Sequence, residues 1–71
     1  MFKNLTGTIN HKNGNDIFIT ADNGDSYDCN IVNDFSIGDR VVFDGIDSQL
    51  AFELALLGGP IPCENVRLVK S

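Results

Sequence analysis

The feature that most constrains this chain is the run from Asp16 to Val32, D-I-F-I-T-A-D-N-G-D-S-Y-D-C-N-I-V. Val, Ile, Phe and Tyr crowd its two arms, while Ala21-Asp22-Asn23-Gly24-Asp25 carries turn formers, so it reads as two strands joined by a tight turn. Asn23-Gly24 is a strong short-range hairpin signal, because both residues tolerate the positive φ that hairpin turns require. Along the second arm Tyr27, Cys29 and Ile31 alternate with Asp28 and Asn30, which gives one apolar and one polar face.

The remaining segments extend the same pattern. Leu5 to Lys12, L-T-G-T-I-N-H-K, reads as a first strand with Gly7 marking a bend or bulge, and Asn13-Gly14-Asn15-Asp16 turns the chain. Strand two then runs from Ile17 to Ala21 and strand three from Ser26 to Val32. Asn33 to Gly38 is a short connection with Phe35 and Ile37 as plugs. Strand four, R-V-V-F-D-G-I from Arg40, places Val41 and Phe43 on one face. Asp47 to Leu57, D-S-Q-L-A-F-E-L-A-L-L, is rich in helix formers, can be capped by Asp47 or Ser48 and ends at Gly58-Gly59-Pro60, so a helix is expected. Leu50, Phe52, Leu54 and Leu56 also alternate, which keeps a strand open as the alternative. Pro60 and Pro62 hold an extended link, and C-E-N-V-R-L-V-K forms a fifth strand with Val66 and Leu68 inward.

Five short strands and one helix in 71 residues make a single domain, 1–71. They suit an all-β, five-stranded OB-like barrel with a Leu-rich insertion between strands 4 and 5. The expected core is Ile9, Ile17, Ile19, Tyr27, Cys29, Ile31, Val41, Phe43, Val66 and Leu68, with Asp28 and Asn30 exposed on the opposite face. A chain this short buries only about 60% of the surface its unfolded form exposes. Ten acidic residues against five basic ones leave a net charge of −5, and that field opposes general binding to a phosphate backbone. Lys3, Lys12, Arg40, Arg67 and Lys70 form no run. The N-terminal M-F-K-N-L-T-G has no apolar core of signal-peptide length and no stretch reaches the length of a membrane span, so a cytoplasmic protein is expected. Cys29 and Cys63 lack metal-site spacing; they read as reduced core residues, with a single bridge as the alternative.

Several of these strands resemble the cold-shock domain family, a five-stranded OB barrel that binds single-stranded nucleic acid. L-T-G-T-I-N at Leu5 to Asn10 is similar to that family's opening T-G-x-V-K, and G-N-D-I-F-I-T at Gly14 to Thr20 to its K-G-F-G-F-I-T. I-G-D-R-V-V-F at Ile37 to Phe43 lies where the family has E-G-Q-x-V-x-F, and E-N-V-R-L-V at Glu64 to Val69 resembles its closing A-x-N-V-R-L. The resemblance implies a working face of outward aromatics on strands one to three. Carried over, the family's K-W-F falls on Asn10, His11 and Lys12, one Phe of the second motif becomes Asp16 while the other stays as Phe18, and the outward Phe and His of strand three become Asp28 and Asn30. Each base stacked on an aromatic ring contributes about 1 to 3 kcal/mol, so this face has lost most of its non-electrostatic affinity.

No catalytic set emerges, since His11 is the single histidine and no base and nucleophile pair with it. D-N-G-D at Asp22 to Asp25 lacks calcium-loop spacing, and no cofactor or metal is expected. The expected role is a non-enzymatic, protein-binding module. Asp16, Asp28 and Asn30 would meet a basic partner surface while Leu54 and Leu57 of the Leu run supply apolar contact, to a partner protein or to a second copy. The alternative is weak single-stranded nucleic-acid binding through Phe18, His11, Lys12 and Lys3.

Overall fold

The computed structural model describes residues 3–46 and 48–69. Five strands, β1 (Leu5–Asn13), β2 (Asp16–Ala21), β3 (Ser26–Asn30), β4 (Arg40–Gly45) and β5 (Ile61–Leu68), close into a barrel in the order β1-β2-β3-β5-β4. One helix, α1 (Gln49–Leu56), lies between β4 and β5. This is the all-β, five-stranded OB-like barrel with a Leu-rich insertion that the strand pattern implied. No helix among the described residues is long and apolar enough to cross a membrane.

The central hairpin forms as its sequence dictates. Gly24 adopts φ +96°, its N–H donates to the Ala21 carbonyl, and the Asn23 side chain accepts from the Asp25 N–H at 3.0 Å. The register that results pairs Ile17 with Cys29, Ile19 with Tyr27 and Phe18 with Asp28. Alternation then sends Ile17, Ile19, Tyr27 and Cys29 inward to join Ile9, Ala21, Val41, Phe43 and Cys63 in the core. The Tyr27 and Phe43 rings pack tilted at 4.9 Å, a favoured aromatic geometry. Asn30 is exposed and Asp28 half-buried, both on the outer side.

Gly7 is not the bulge. It pairs regularly with Ala21 on one side and Val41 on the other, and a Cβ there would lie 2.6 Å from the Thr20 carbonyl oxygen. Its role is close approach of three strands, which any side chain would prevent. The β1–β2 register instead shifts between Ile9 and His11, so Asn10 is the extra residue and His11 comes to lie opposite Phe18.

Strand five departs from expectation in three respects. It begins at Ile61, and Tyr27 and Asp28 of β3 pair in parallel with Ile61 and Pro62, so the second proline is inside the strand rather than in a link. Asn65 adopts φ +59° where the β4–β5 register shifts between Val42 and Asp44. That extra residue lets both Cys63 and Val66 face inward although three positions separate them. Leu68 pairs with Val41 on the core side, but as the last residue of the strand it is 52% exposed rather than buried.

Strand three ends at Asn30, which leaves Ile31 packed against the core but only partly buried. Phe35 packs against the core as expected, whereas Ile37 is largely exposed because it lies in the turn that precedes Gly38. Two polar clasps bind the outside of the barrel. Asp44 accepts from the Asn4 N–H at 2.9 Å and from the Asn65 side chain at 3.1 Å, and Arg67 donates to the Asn4 side chain and to the Asn65 carbonyl. Arg40 makes a two-pronged ion pair with Asp22, both contacts 2.8 Å, and Thr6 adds a hydrogen bond to the same carboxylate.

Candidate functional site

Two surfaces carry side chains that the fold does not need. The first is the outer face of β1–β3. Alternation turns Phe18 outward, and the bulge at Asn10 brings His11 to it, with ring centroids 5.4 Å apart. Asn10, His11, Phe18, Ile19, Ser26 and Pro60 line a shallow hollow of ≈ 280 Å³ beside them. The acidic residues adjoin it: Asp28 pairs with Phe18, and Asp16 with Asn30. Partial burial, and then the charge of Asp16, raises the Asp28 carboxyl above its ordinary range.

Of the four residues expected to hold a nucleic acid, His11 and Phe18 meet there and Lys12 and Lys3 do not. Lys12 pairs with Ile17, on the other side of β1 from His11, and its Nζ donates to the Phe35 carbonyl at 2.7 Å. Lys3 precedes the opposite end of β1, about 20 Å of strand away from His11, and its charge is felt by Asp44. Arg40 and Arg67 are engaged by Asp22, Asn4 and Asn65. Among the described residues, the hollow beside Phe18 is therefore lined by no Lys or Arg.

The second surface belongs to α1. Ser48 caps the helix by accepting from the Ala51 N–H at 3.1 Å, and Gly58, at φ +78°, ends it with its N–H donating to the Ala55 carbonyl. The expected alternative cap, Asp47, lies outside the described residues, as does Lys70. At 100° per residue, Ala51, Leu54 and Ala55 share the side that packs on β5, with Ala51 buried and Leu54 half-buried. Leu50 and Leu57 then fall on one flank and Phe52 and Leu56 on the other. They are 63%, 83%, 65% and 72% exposed. Of the two leucines singled out from sequence, Leu57 is thus free surface and Leu54 mainly helix packing.

Between α1 and the barrel mouth runs a groove of ≈ 270 Å³, lined by Ala51, Phe52 and Ala55 from the helix and Tyr27, Ile46 and Ile61 from the barrel, with Ser48 and Asp25 at its edge. Among the described residues, Asp25 is the one charged side chain lining it. Burial pushes the Tyr27 hydroxyl above its ordinary range, and the nearby Asp25 charge adds to that. Sequence patterning does not find this groove, because Ile61 reaches Tyr27 only through the parallel β3–β5 pairing.

Both cysteines are buried free thiols. Among the described residues, no group of three or more His, Cys, Asp or Glu side chains is placed to hold a metal ion. Compared with known proteins, the chain matches no family model, no curated protein and no solved structure.

Proposed function

We propose that this chain is a non-enzymatic, cold-shock-like OB module whose function is to bind another protein, through an apolar segment flanked by Lys or Arg. The carrying observation is the cluster on and beside one eight-residue helix: Leu50, Phe52, Leu56 and Leu57 are all more than 60% exposed, next to an apolar groove. Each such side chain contributes roughly 1.5 to 3 kcal/mol when fully buried. Four of them, together about 6 to 12 kcal/mol, are of the same size as an association cost of about 4 to 15 kcal/mol, which fits a reversible rather than a permanent contact.

Charge favours a foreign partner over a second copy. Asp25 lines the groove and Glu53 stands on the outward side of α1, while the whole chain carries −5, so two copies meeting here would bring like charges together. Asp16, Asp28 and Asn30 extend the acidic surface on the strand face and supply a second contact for a basic partner.

A second reading, weak single-stranded nucleic-acid binding, is favoured by the His11–Phe18 ring pair beside its hollow. One experiment separates the two. Random peptides displayed and selected on the immobilised protein should converge on Leu, Phe or Ile neighbouring Lys or Arg, and their binding should weaken about tenfold in Phe52→Gln. Phe18→Ala should leave it unchanged. Submicromolar binding of a single-stranded oligonucleotide, abolished by Phe18→Ala, would reverse the ranking.

A further inference from the structure

The seam between β3 and β5 is where the barrel closes, and it is short. Its parallel ladder has two register pairs, Tyr27 with Ile61 and Asp28 with Pro62, and Pro62 has no N–H to give it. One step further along both strands stand Cys29 and Cys63. Parallel strands advance together, so the next pair in this register is Cys29 opposite Cys63, and both are buried on the core side at 4% exposure. Neighbouring strands lie about 4.8 Å apart, inside the Cα separation of roughly 4.4 to 6.8 Å that a disulfide spans. The two thiols lie near enough for each to influence the ionisation of the other. Each remains a free thiol.

We propose that Cys29 and Cys63 are a reversible modification site, at which a disulfide oxidant such as oxidised glutathione converts the paired thiols into a covalent clasp across the β3–β5 seam. One thiolate attacks the glutathione disulfide and releases one glutathione; the second thiolate attacks the mixed disulfide and releases the other. One Cys29–Cys63 S–S bond forms as the S–S bond of oxidised glutathione breaks. The two electrons and two protons given up by the thiols end on two molecules of reduced glutathione.

Burial raises both thiols above their ordinary range, Cys63 more than Cys29, so the closed barrel is unreactive and exchange proceeds when the seam opens. The proline-interrupted seam permits that opening without unfolding the three strands β1, β2 and β4, whose ladders are longer. A link from residue 29 to residue 63 closes a long loop, and loss of unfolded-state freedom is the main source of stabilisation by such a bond.

The test is incubation of the folded protein with oxidised glutathione, an acid quench, and intact mass plus peptide mapping without reductant. The expected product is lighter by about 2 Da, maps to one peptide linking Cys29 to Cys63, and melts higher by more than about 10 °C until dithiothreitol reverses it. Glutathione attached to single cysteines with no link, or thiols that stay unmodified in the folded protein, would overturn the proposal. So would a linked product that melts lower, since that bond would have formed outside the native barrel.

Discussion

Replacing Leu54 and Leu57 separately by Gln tests whether α1 is part of the core or a surface held up by it. Gln is preferred to Glu because a carboxylate near a helix C-terminus opposes the dipole, and because added negative charge would itself attract a basic partner. Leu57 is 83% exposed, so only about a sixth of its roughly 1.5 to 3 kcal/mol burial energy is at stake, below about 0.5 kcal/mol. Leu54 is half-buried on the side of α1 that packs on β5, and its side chain lies 3.8 Å from where a Cβ on Gly59 would be. Losing most of that contact should cost about 1 to 2.5 kcal/mol. At roughly 4 to 8 °C per kcal/mol for a domain of this size, Leu54→Gln lowers Tm by about 4 to 20 °C and Leu57→Gln by less than about 4 °C. Thermal melts followed by circular dichroism read both values directly. Equal losses in the two variants would refute the division of the helix into a packed side and a free flank.

Three further outcomes follow from particular residues. Gly7→Ala forces a Cβ to within 2.6 Å of the Thr20 carbonyl oxygen and 2.8 Å of the Ile19 side chain, and should cost at least about 3 kcal/mol in a urea titration. In a Tm series against pH, Asp22 and Asp44, both held below the ordinary carboxylate range by hydrogen bonds from Arg40 and from the Asn4 N–H, stabilise the fold above their unfolded value near about 4. That stability is lost as pH falls through their lower folded values, and Asp44→Asn should flatten the decline. Asp28 has the opposite sign: its raised folded value makes the charged form unfavourable, so Asp28→Asn should raise Tm at neutral pH and do less in acid. Mixed-sequence single-stranded DNA or RNA should bind more weakly than about 100 µM at physiological salt by fluorescence anisotropy, because no Lys or Arg among the described residues lines the hollow beside Phe18.

Local chemistry was the legible part of this fold. The period-two alternation of Ile17, Ile19, Tyr27 and Cys29 and the turn at Asn23-Gly24 are properties of neighbouring residues, and they determine the hairpin and its inner face. The helix was likewise written in its ends, Ser48 and Gly58. What could not be read is non-local. The bulge at Asn10 has no distinctive side-chain signature, yet it decides that His11, and not Lys12, meets Phe18. Asn65 tolerates left-handed backbone better than most residues, a local hint, but only its place opposite β4 shows that it turns Cys63 into the core. The groove beside α1 depends on parallel pairing between strands more than thirty residues apart, and the cysteine pair rests on the same contact. A strand pattern identifies which faces are apolar; it does not say which of them another element will leave uncovered.

The most direct measurement of the central claim is a two-dimensional NMR titration of the isotopically labelled protein with a short synthetic peptide of alternating Leu and Lys. Binding in the groove predicts that the largest, saturable shifts fall on Tyr27, Ile46, Ala51, Phe52, Ala55 and Ile61. Shifts concentrated instead on Asn10, His11, Phe18 and Ser26, or none beyond a diffuse salt-sensitive effect of charge, would contradict it.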